Sequence, residues 1–164
     1  MDFRGQISAE YILMVGFMLI IVLVVASSLG EQNELNIAMA AARSGAEEGA
    51  NMGSFAIYPE DTFSNYTSGK PRLLTPSSIK IRRMNYTNQG FNLTYNRTRI
   101  QIRIYASAPS VSSASDRNSI GDRINFYARK SICEAFGTCN LTNNLFNPAF
   151  SNRYVFTTTD VQWV

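Results

Sequence analysis

The chain contains an uncharged, strongly apolar run of 19 residues, Tyr11–Leu29 (YILMVGFMLIIVLVVASSL). As an α-helix such a run is about 28 Å long, which matches the thickness of a bilayer's hydrocarbon core. Because the run follows closely after Met1, the first question is which kind of export or anchoring segment it forms. The sequence therefore predicts a helix whose surroundings are lipid or other apolar helices.

Composition leaves three interpretations of this segment open. A secretory signal would be cut after its apolar core, and Val24-Val25-Ala26 before Ser27 offers a site that would release a soluble domain. A plain anchor would stay uncut. The third interpretation depends on Glu10, which lies directly against the apolar run. A carboxylate deep in lipid costs on the order of a few kcal/mol, so Glu10 must stay at the interface or find a partner.

The residues before the apolar run carry a family resemblance. Arg4–Glu10 (RGQISAE), followed by a long apolar helix, resembles the class III signal peptide of archaeal type IV pilins. The family pattern Gln-x-Ser-x-Glu-x-x-x-Leu is met at Gln6, Ser8 and Glu10, and Met14 stands where the pattern has Leu. The resemblance covers about residues 1–30 and implies a structural subunit of a surface filament that serves adhesion.

The resemblance also assigns roles to particular residues. In that family a prepilin peptidase cuts before the apolar helix, which implies cleavage between Gly5 and Gln6 and a mature chain that keeps the helix. An unpaired carboxylate in a bundle of apolar helices is strongly unfavourable, so we expect Glu10 to pair with the new α-amino group of a neighbouring subunit. Such a pair would fix the axial register, as a buried polar residue does in coiled coils. The alternatives are that Glu10 lies at the membrane surface, or that Gln6 cyclises and loses its positive charge.

The helical pattern continues beyond the apolar run. Helix-forming residues dominate after Leu29, and no proline occurs before Pro59. Small residues recur at i, i+4 in two rows that allow close packing of another backbone; the rows are Ala38, Ala42, Ala46, Ala50 and Ala41, Gly45, Gly49, Gly53. Each glycine weakens a helix by about 1 kcal/mol relative to alanine, so tertiary or quaternary contacts must offset it. We expect one helix from Gln6 to about Gly53, the alternative being a frayed linker.

The remainder of the chain has the composition of a β-rich domain. The expected elements are a loop at 55–77, strands at Ser78–Tyr86, Phe91–Tyr95, Thr98–Ala108 and Arg153–Trp163, a hairpin turn at Asn88-Gln89-Gly90, a Ser-rich loop at Ala108–Asn118, and a helix at Ile120–Phe136 that Gly137 ends. The predicted fold class is α+β: one long N-terminal hydrophobic helix carrying a small, mostly antiparallel β-sheet head. The predicted parts are a cleaved leader (1–5), a helix that is first a membrane anchor and then a filament core (6–53), and an extracellular head (54–164).

Two kinds of covalent modification are expected if the head is exported. Five Asn-x-Thr sequons occur, more than composition predicts, and all lie in the head, at Asn65, Asn85, Asn92, Asn96 and Asn140. We expect at least two of the five to carry glycans, with chance occurrence in an Asn- and Thr-rich domain as the alternative. The two cysteines, Cys133 and Cys139, would form a disulfide outside the cell, worth about 2 kcal/mol by loop-closure entropy, or remain buried thiols.

Charge and residue usage bear on chemistry and partners. Residues 1–69 hold two basic and eight acidic side chains (net −6), and residues 70–164 hold 13 basic and four acidic ones (net +9). The two parts can therefore attract each other within or between subunits, the alternative being two solvated surfaces with no partner. The basic strand positions are Lys80, Arg82, Arg97, Arg99 and Arg103.

No histidine is present, and the scattered aspartates assemble no nucleophile with a base, so we expect no enzyme, cofactor or metal site. The expected partners are other copies of this chain in a homopolymer, the prepilin peptidase and assembly machinery, and the membrane before assembly; nucleic acid is not expected. We expect the chain to be located in the cell membrane before assembly and in an extracellular surface filament afterwards. The alternative is a secreted or membrane-anchored glycoprotein binding module that never polymerises.

Overall fold

The computed structural model describes residues 3–52, 79–109 and 111–164, with side chains described from residue 9 onward. The chain forms two compact units, residues 1–36 and 37–164, and the division falls within the first helix. The loop expected at 55–77 and the sequon at Asn65 lie outside the described residues.

The first helix, α1, runs from Phe3 to Asn51 without interruption. This confirms the long N-terminal helix expected from the absence of proline. Its part from Ala9 onward contains a stretch that is long and apolar enough to cross a bilayer, judged by length and composition. Residues 37–51 of α1 belong to the same compact unit as the β-rich head.

The head is built on a five-stranded mixed sheet. Its strands are β1 (Lys80–Asn92), β2 (Arg97–Ser107), β3 (Ala149–Phe150), β4 (Tyr154–Thr158) and β5 (Gln162–Trp163). The strand order is β1-β2-β4-β3, and β5 pairs with the far end of β2. Strand β2 is antiparallel to β1 but parallel to β4 and β5, while β3 and β4 are antiparallel. The α+β class is confirmed, with a sheet that contains parallel pairs as well.

The β1–β2 hairpin turns later than the sequence predicted. Asn88-Gln89-Gly90 lies inside β1, where the pairing register shifts between Asn88 and Phe91, and Gly90 takes a positive φ of 83°. The turn instead spans residues 93–96. It is held by Asn92, whose Oδ1 accepts hydrogen bonds from the backbone N–H of Thr94 at 2.9 Å and of Tyr95 at 3.3 Å. An Asx turn at Asn92 therefore reverses the chain between β1 and β2, which the sequence analysis expected at Gly90.

The second helix, α2, runs from Ala114 to Phe136 and begins earlier than the expected Ile120. Ser113 caps it, since its hydroxyl accepts a hydrogen bond from the backbone N–H of Asp116 at 3.4 Å. Gly137 ends the helix in the left-handed conformation, as predicted. This helix is the crossover between β2 and β4, and strands joined in that way can run parallel.

The last strand is split where the sequence predicted one strand over Arg153–Trp163. Strand β4 ends at Thr158 and β5 begins at Gln162, with Val161 buried between them. Both pieces pair with β2, and the N–H of Val164 still donates to the carbonyl of Ala106 at 2.9 Å. The two pieces together therefore form one interrupted neighbour of β2.

The core of the head lies between β2 and α2. Ile100, Ile102 and Ile104 on one face of β2 are 0–1% exposed, as the alternating pattern predicted. On α2, Asn125 donates to the carbonyl of Thr159 at 3.0 Å and Arg129 donates to the hydroxyl of Thr158, which fixes one side of the helix on the sheet.

Candidate assembly surface

The large apolar side chains of the run Tyr11–Leu29 in α1 are exposed. Fifteen large apolar side chains between Tyr11 and Leu29 are 38–75% exposed. Exposing one such side chain to water costs about 1.5–3 kcal/mol at full exposure, so the set amounts to some tens of kcal/mol. Such a surface is stable only in lipid or against other apolar helices.

The residues predicted to flank the cleavage site and to set the register lie at the start of this helix. Gly5 and Gln6 fall within the first turns of α1, and Glu10 is exposed on it, next to Tyr11. Glu10 shares a helix face with Leu13, Met14 and Phe17, because residues three, four and seven apart are neighbours. The carboxylate therefore lies on an apolar face, where a neighbouring helix would meet it.

Small residues in the second half of α1 are buried, and two of them, Gly45 and Gly49, lie against α2 within the same subunit. Ala38, Ala42, Ala46 and Ala50 are 0–3% exposed, and Gly45 and Gly49 are also buried. A Cβ added at Gly45 would overlap the carbonyl oxygen of Tyr127 and lie 2.5 Å from the Ser131 hydroxyl oxygen. One added at Gly49 would lie 3.1 Å from the Arg123 carbonyl oxygen. The close approach that these rows allow is therefore a tertiary contact, which offsets the cost of the glycines in the helix.

The two sides of α2 are used differently. Arg123 and Tyr127 lie against α1, whereas Asn125 and Arg129 hold the sheet. Residues two apart on a helix point in nearly opposite directions. Helix α2 is thus a middle layer, with residues 37–51 of α1 on one side and the sheet on the other.

The face of the sheet that points away from the buried isoleucines is basic. We call it the basic sheet face and define it by Lys80, Arg83, Arg97, Arg99 and Arg103. The register shift after Ile81 places Arg83 opposite Tyr105, in the position on this face where strict alternation predicted Arg82. The Arg83 guanidinium lies 4.1 Å from the centre of the Tyr105 ring. No acidic residue occurs between 62 and 115, so neither strand supplies a counter-charge.

Four predicted sequons lie on described residues. Asn85 is exposed on β1 directly opposite Arg103, and Asn92 ends the same strand, with its side chain partly buried. Asn96 closes the hairpin turn with a φ of 52°, and Asn140 is exposed after α2. Glycosylation of these sites stays a prediction.

The disulfide predicted between Cys133 and Cys139 is not formed in this structure, which has both as free thiols. Cys133 is in the last turn of α2 with its side chain in the core, while the capping turn at Gly137 leaves Cys139 exposed. Burial raises the pKa of the Cys133 thiol above its ordinary value of 9.0, and hydrogen bonds with Phe150 and Thr138 act in the opposite direction. Cys133 is therefore a protonated, poorly reactive thiol.

We expect a maleimide at mildly alkaline pH to label Cys139 rapidly and Cys133 only after unfolding. The reason is that the thiolate is the reactive form, and both burial and the raised pKa deplete it at Cys133. Mass spectrometry of the folded chain would show one label, and Cys139→Ser would show none. Two thiols that label only after reduction would contradict the free thiols and establish the disulfide.

One small polar cavity was not foreseen from the sequence. Its volume is about 220 Å³, and its lining includes Arg117, Asp122, Asn125, Asp160 and Trp163. Asp122 and Asp160 are far apart in the sequence and meet there because β4 and β5 return alongside α2. Among the residues that the structure describes, no group of three or more His, Cys, Asp or Glu side chains is arranged to hold a metal ion.

Comparison with known proteins identifies the N-terminal signal. Residues 4–27 match the family model of the class III signal peptide. The match contains the Gly5–Gln6 junction, Glu10 and most of the apolar run, and it confirms the resemblance seen at Arg4–Glu10. A class III signal peptide indicates a type IV pilin-like precursor. No curated protein and no solved structure matches the chain.

Proposed function

We propose that this chain is a structural subunit, a pilin, of an archaeal type IV pilus-like surface filament. Two observations together support the proposal. Residues 4–27 match a class III signal peptide, and the large apolar side chains of the run Tyr11–Leu29 are exposed along its whole length. Cleavage between Gly5 and Gln6 by a prepilin peptidase would leave that helix on the mature chain. The protein would then reside in the membrane until the assembly machinery incorporates it into a homopolymer.

Polymerisation would replace lipid by the helices of neighbouring copies. Lipid tails are as apolar as leucine, so the gain on leaving the membrane comes from side-chain packing and from polar pairing. Once outside the membrane, burying the run avoids the tens of kcal/mol that water contact would cost. Glu10, paired with the free amino group of a neighbour, would select one register among the many that a uniformly apolar helix allows.

The head would lie on the outside of such a filament and carry its contacts with surroundings. Asn-x-Thr sequons occur only in the head, and glycans at positions such as Asn96 and Asn140 would fit an extracellular location. Because of the resemblance to pilins, we propose that the filament serves adhesion or surface attachment. We also propose that the chain is not an enzyme, since it has no histidine to act as a general base. The alternative function is a glycoprotein binding module that is anchored or secreted and remains a monomer.

The mature N-terminus and the assembly state test this proposal together. We expect mass spectrometry of surface material to find a chain that begins at Gln6 within filaments visible by electron microscopy. A chain that begins at Ser27 would show that the apolar helix is removed and would refute the proposal. An intact Met1 or a mature chain found only as membrane-bound monomers would favour the anchored binding module.

A further inference from the structure

We infer that the basic sheet face of one subunit docks on the exposed glutamates of α1, Glu47 and Glu48, in a second copy of this chain. This inference rests on the proposed filament and names one of its contacts between heads. It is carried by two complementary charged surfaces that the fold places on opposite sides of one molecule.

Among the residues that the structure describes, no acidic side chain pairs with the basic sheet face. Arg97 donates to the carbonyl of Asn152 at 3.2 Å and lies over the Phe150 ring, and Arg83 lies over Tyr105. Both contacts hold the guanidinium groups in place without neutralising them. Arg103 is exposed, with the neutral Asn85 directly opposite. The face is therefore an ordered array of positive charge.

The acidic partner surface is on α1. Residues 9–51 contain five glutamates and one basic residue, Arg43. Arg43 pairs with Glu47 at 3.0 Å, but both side chains are about half exposed, and such a pair contributes only tenths of a kcal/mol. Glu48 is exposed next to it and makes no ion pair with any residue that the structure describes. This side of α1 faces away from α2, because the alanine and glycine rows occupy the other side.

One subunit cannot bring these two surfaces together by itself. Helix α2 lies between residues 37–51 of α1 and the sheet, and the basic residues are on the far side of that sheet. A second copy can supply the missing partner, and its own basic face then remains available for a third. Two complementary patches at different places on one molecule give a head-to-tail contact, and a contact of that kind produces an open helical filament unless the rotation closes a ring.

The inference also bears on glycosylation. Asn85 is on the same face of the sheet as Arg103 and directly opposite it. A glycan there would separate the two charged surfaces. We therefore expect Asn85 to be bare in assembled filaments, whereas this restriction does not apply to Asn96 in the hairpin turn or to Asn140 after α2.

Charge reversal and charge exchange on the full-length chain test the contact. We expect Arg103→Glu and Glu48→Lys each to reduce the filament yield about tenfold or more, since like charges then meet at the interface. The double variant Arg103→Glu/Glu48→Lys should recover most of the yield. Recovery cannot be explained by misfolding of either single variant.

The matched control is a pair of adjacent residues on β1. Arg82 and Arg83 are both exposed, but only Arg83 is paired across the strands, opposite Tyr105, whereas Arg82 falls at the register shift and has no paired residue in β2. Arg83→Glu should impair assembly, and Arg82→Glu, with the same change in net charge, should assemble like the wild type.

Four results would overturn the inference. They are normal filaments from Arg103→Glu, no recovery in the double variant, equal loss with Arg82→Glu, and a glycan on Asn85 in filaments. In the first of these cases, loss of DNA binding by Arg103→Glu would assign the face to nucleic acid. If the wild-type chain itself forms no filaments, the proposed function fails, which is a separate result from all of these.

Discussion

Replacing Glu10 by Gln is expected to leave cleavage after Gly5 intact and to abolish filaments. The substitution keeps the size of the side chain but removes its charge, so the amino group of the neighbouring Gln6 would be buried without a partner. Breaking a buried pair in this way costs about 3 kcal/mol or more. That corresponds to an increase of roughly a hundredfold in the subunit concentration that assembly requires. The fraction of chain that sediments as filaments measures this, and mass spectrometry of the membrane fraction reports on cleavage.

A control for Glu10 is available on the surface of the head. Glu134→Gln makes the same chemical change at an exposed position on α2, where the pair with Lys130 at 3.6 Å contributes little. It should assemble normally. Normal filaments from Glu10→Gln or Glu10→Ala would refute the register role. A cyclised Gln6 in wild-type filaments would refute the pairing, because it has no positive charge.

Replacing Gly45 by Ala is expected to destabilise the head, although alanine is the better helix former. The added Cβ overlaps the Tyr127 carbonyl oxygen and lies 2.8 Å from its carbonyl carbon, and backbone atoms cannot rotate away. Overpacking of this kind costs about 1–3 kcal/mol or more, against about 1 kcal/mol gained in helix propensity. We expect a net loss of about 2 kcal/mol, which lowers the melting temperature by roughly 5–10 °C. Fluorescence of the single Trp163, which is in the head, follows the transition for the full chain in detergent.

Two further glycines provide a graded control on the same helix. A Cβ at Gly49 would lie 3.1 Å from its nearest atoms, so Gly49→Ala should have a smaller effect. A Cβ at Gly16 would have no atom within 4 Å, and Gly16→Ala should leave the melting temperature of the head unchanged. If Gly45→Ala were as stable as Gly16→Ala, α1 would not be packed on α2 as the structure has it.

The helices and strands in which apolar or small residues recur at a regular spacing could be predicted from the sequence. Strand β2 alternates isoleucine with polar residues, and its buried face is the predicted one. The continuous helix α1 and its small-residue rows were equally visible, and so was the signal at Arg4–Glu10. In each case the pattern is local, and a single physical rule connects it to structure.

The elements that depend on partners could not be predicted in the same way. The register shifts in β1 arise from pairing with β2, so they moved the hairpin turn to residues 93–96 and exchanged Arg82 for Arg83 on the basic sheet face. The early start of α2 had a local signal, Ser113 followed by Asp116, which the Ser-rich composition concealed. The parallel pairing of β4 and β5 has no local signal, because only the path of the crossover sets it.

That pairing sets the order in which the head can be completed. Strand β2 receives its second neighbour from residues 154–164, and the N–H of Val164 makes one of the bonds. The sheet therefore cannot be completed until residues 154–164 have been synthesised, by which time the apolar helix at residues 11–29 has long been available to the membrane. A chain that stalls or is clipped before residue 154 would keep the apolar helix but leave β2 without its second neighbour, so an unfinished chain differs from a finished one in the exposed edge of its sheet.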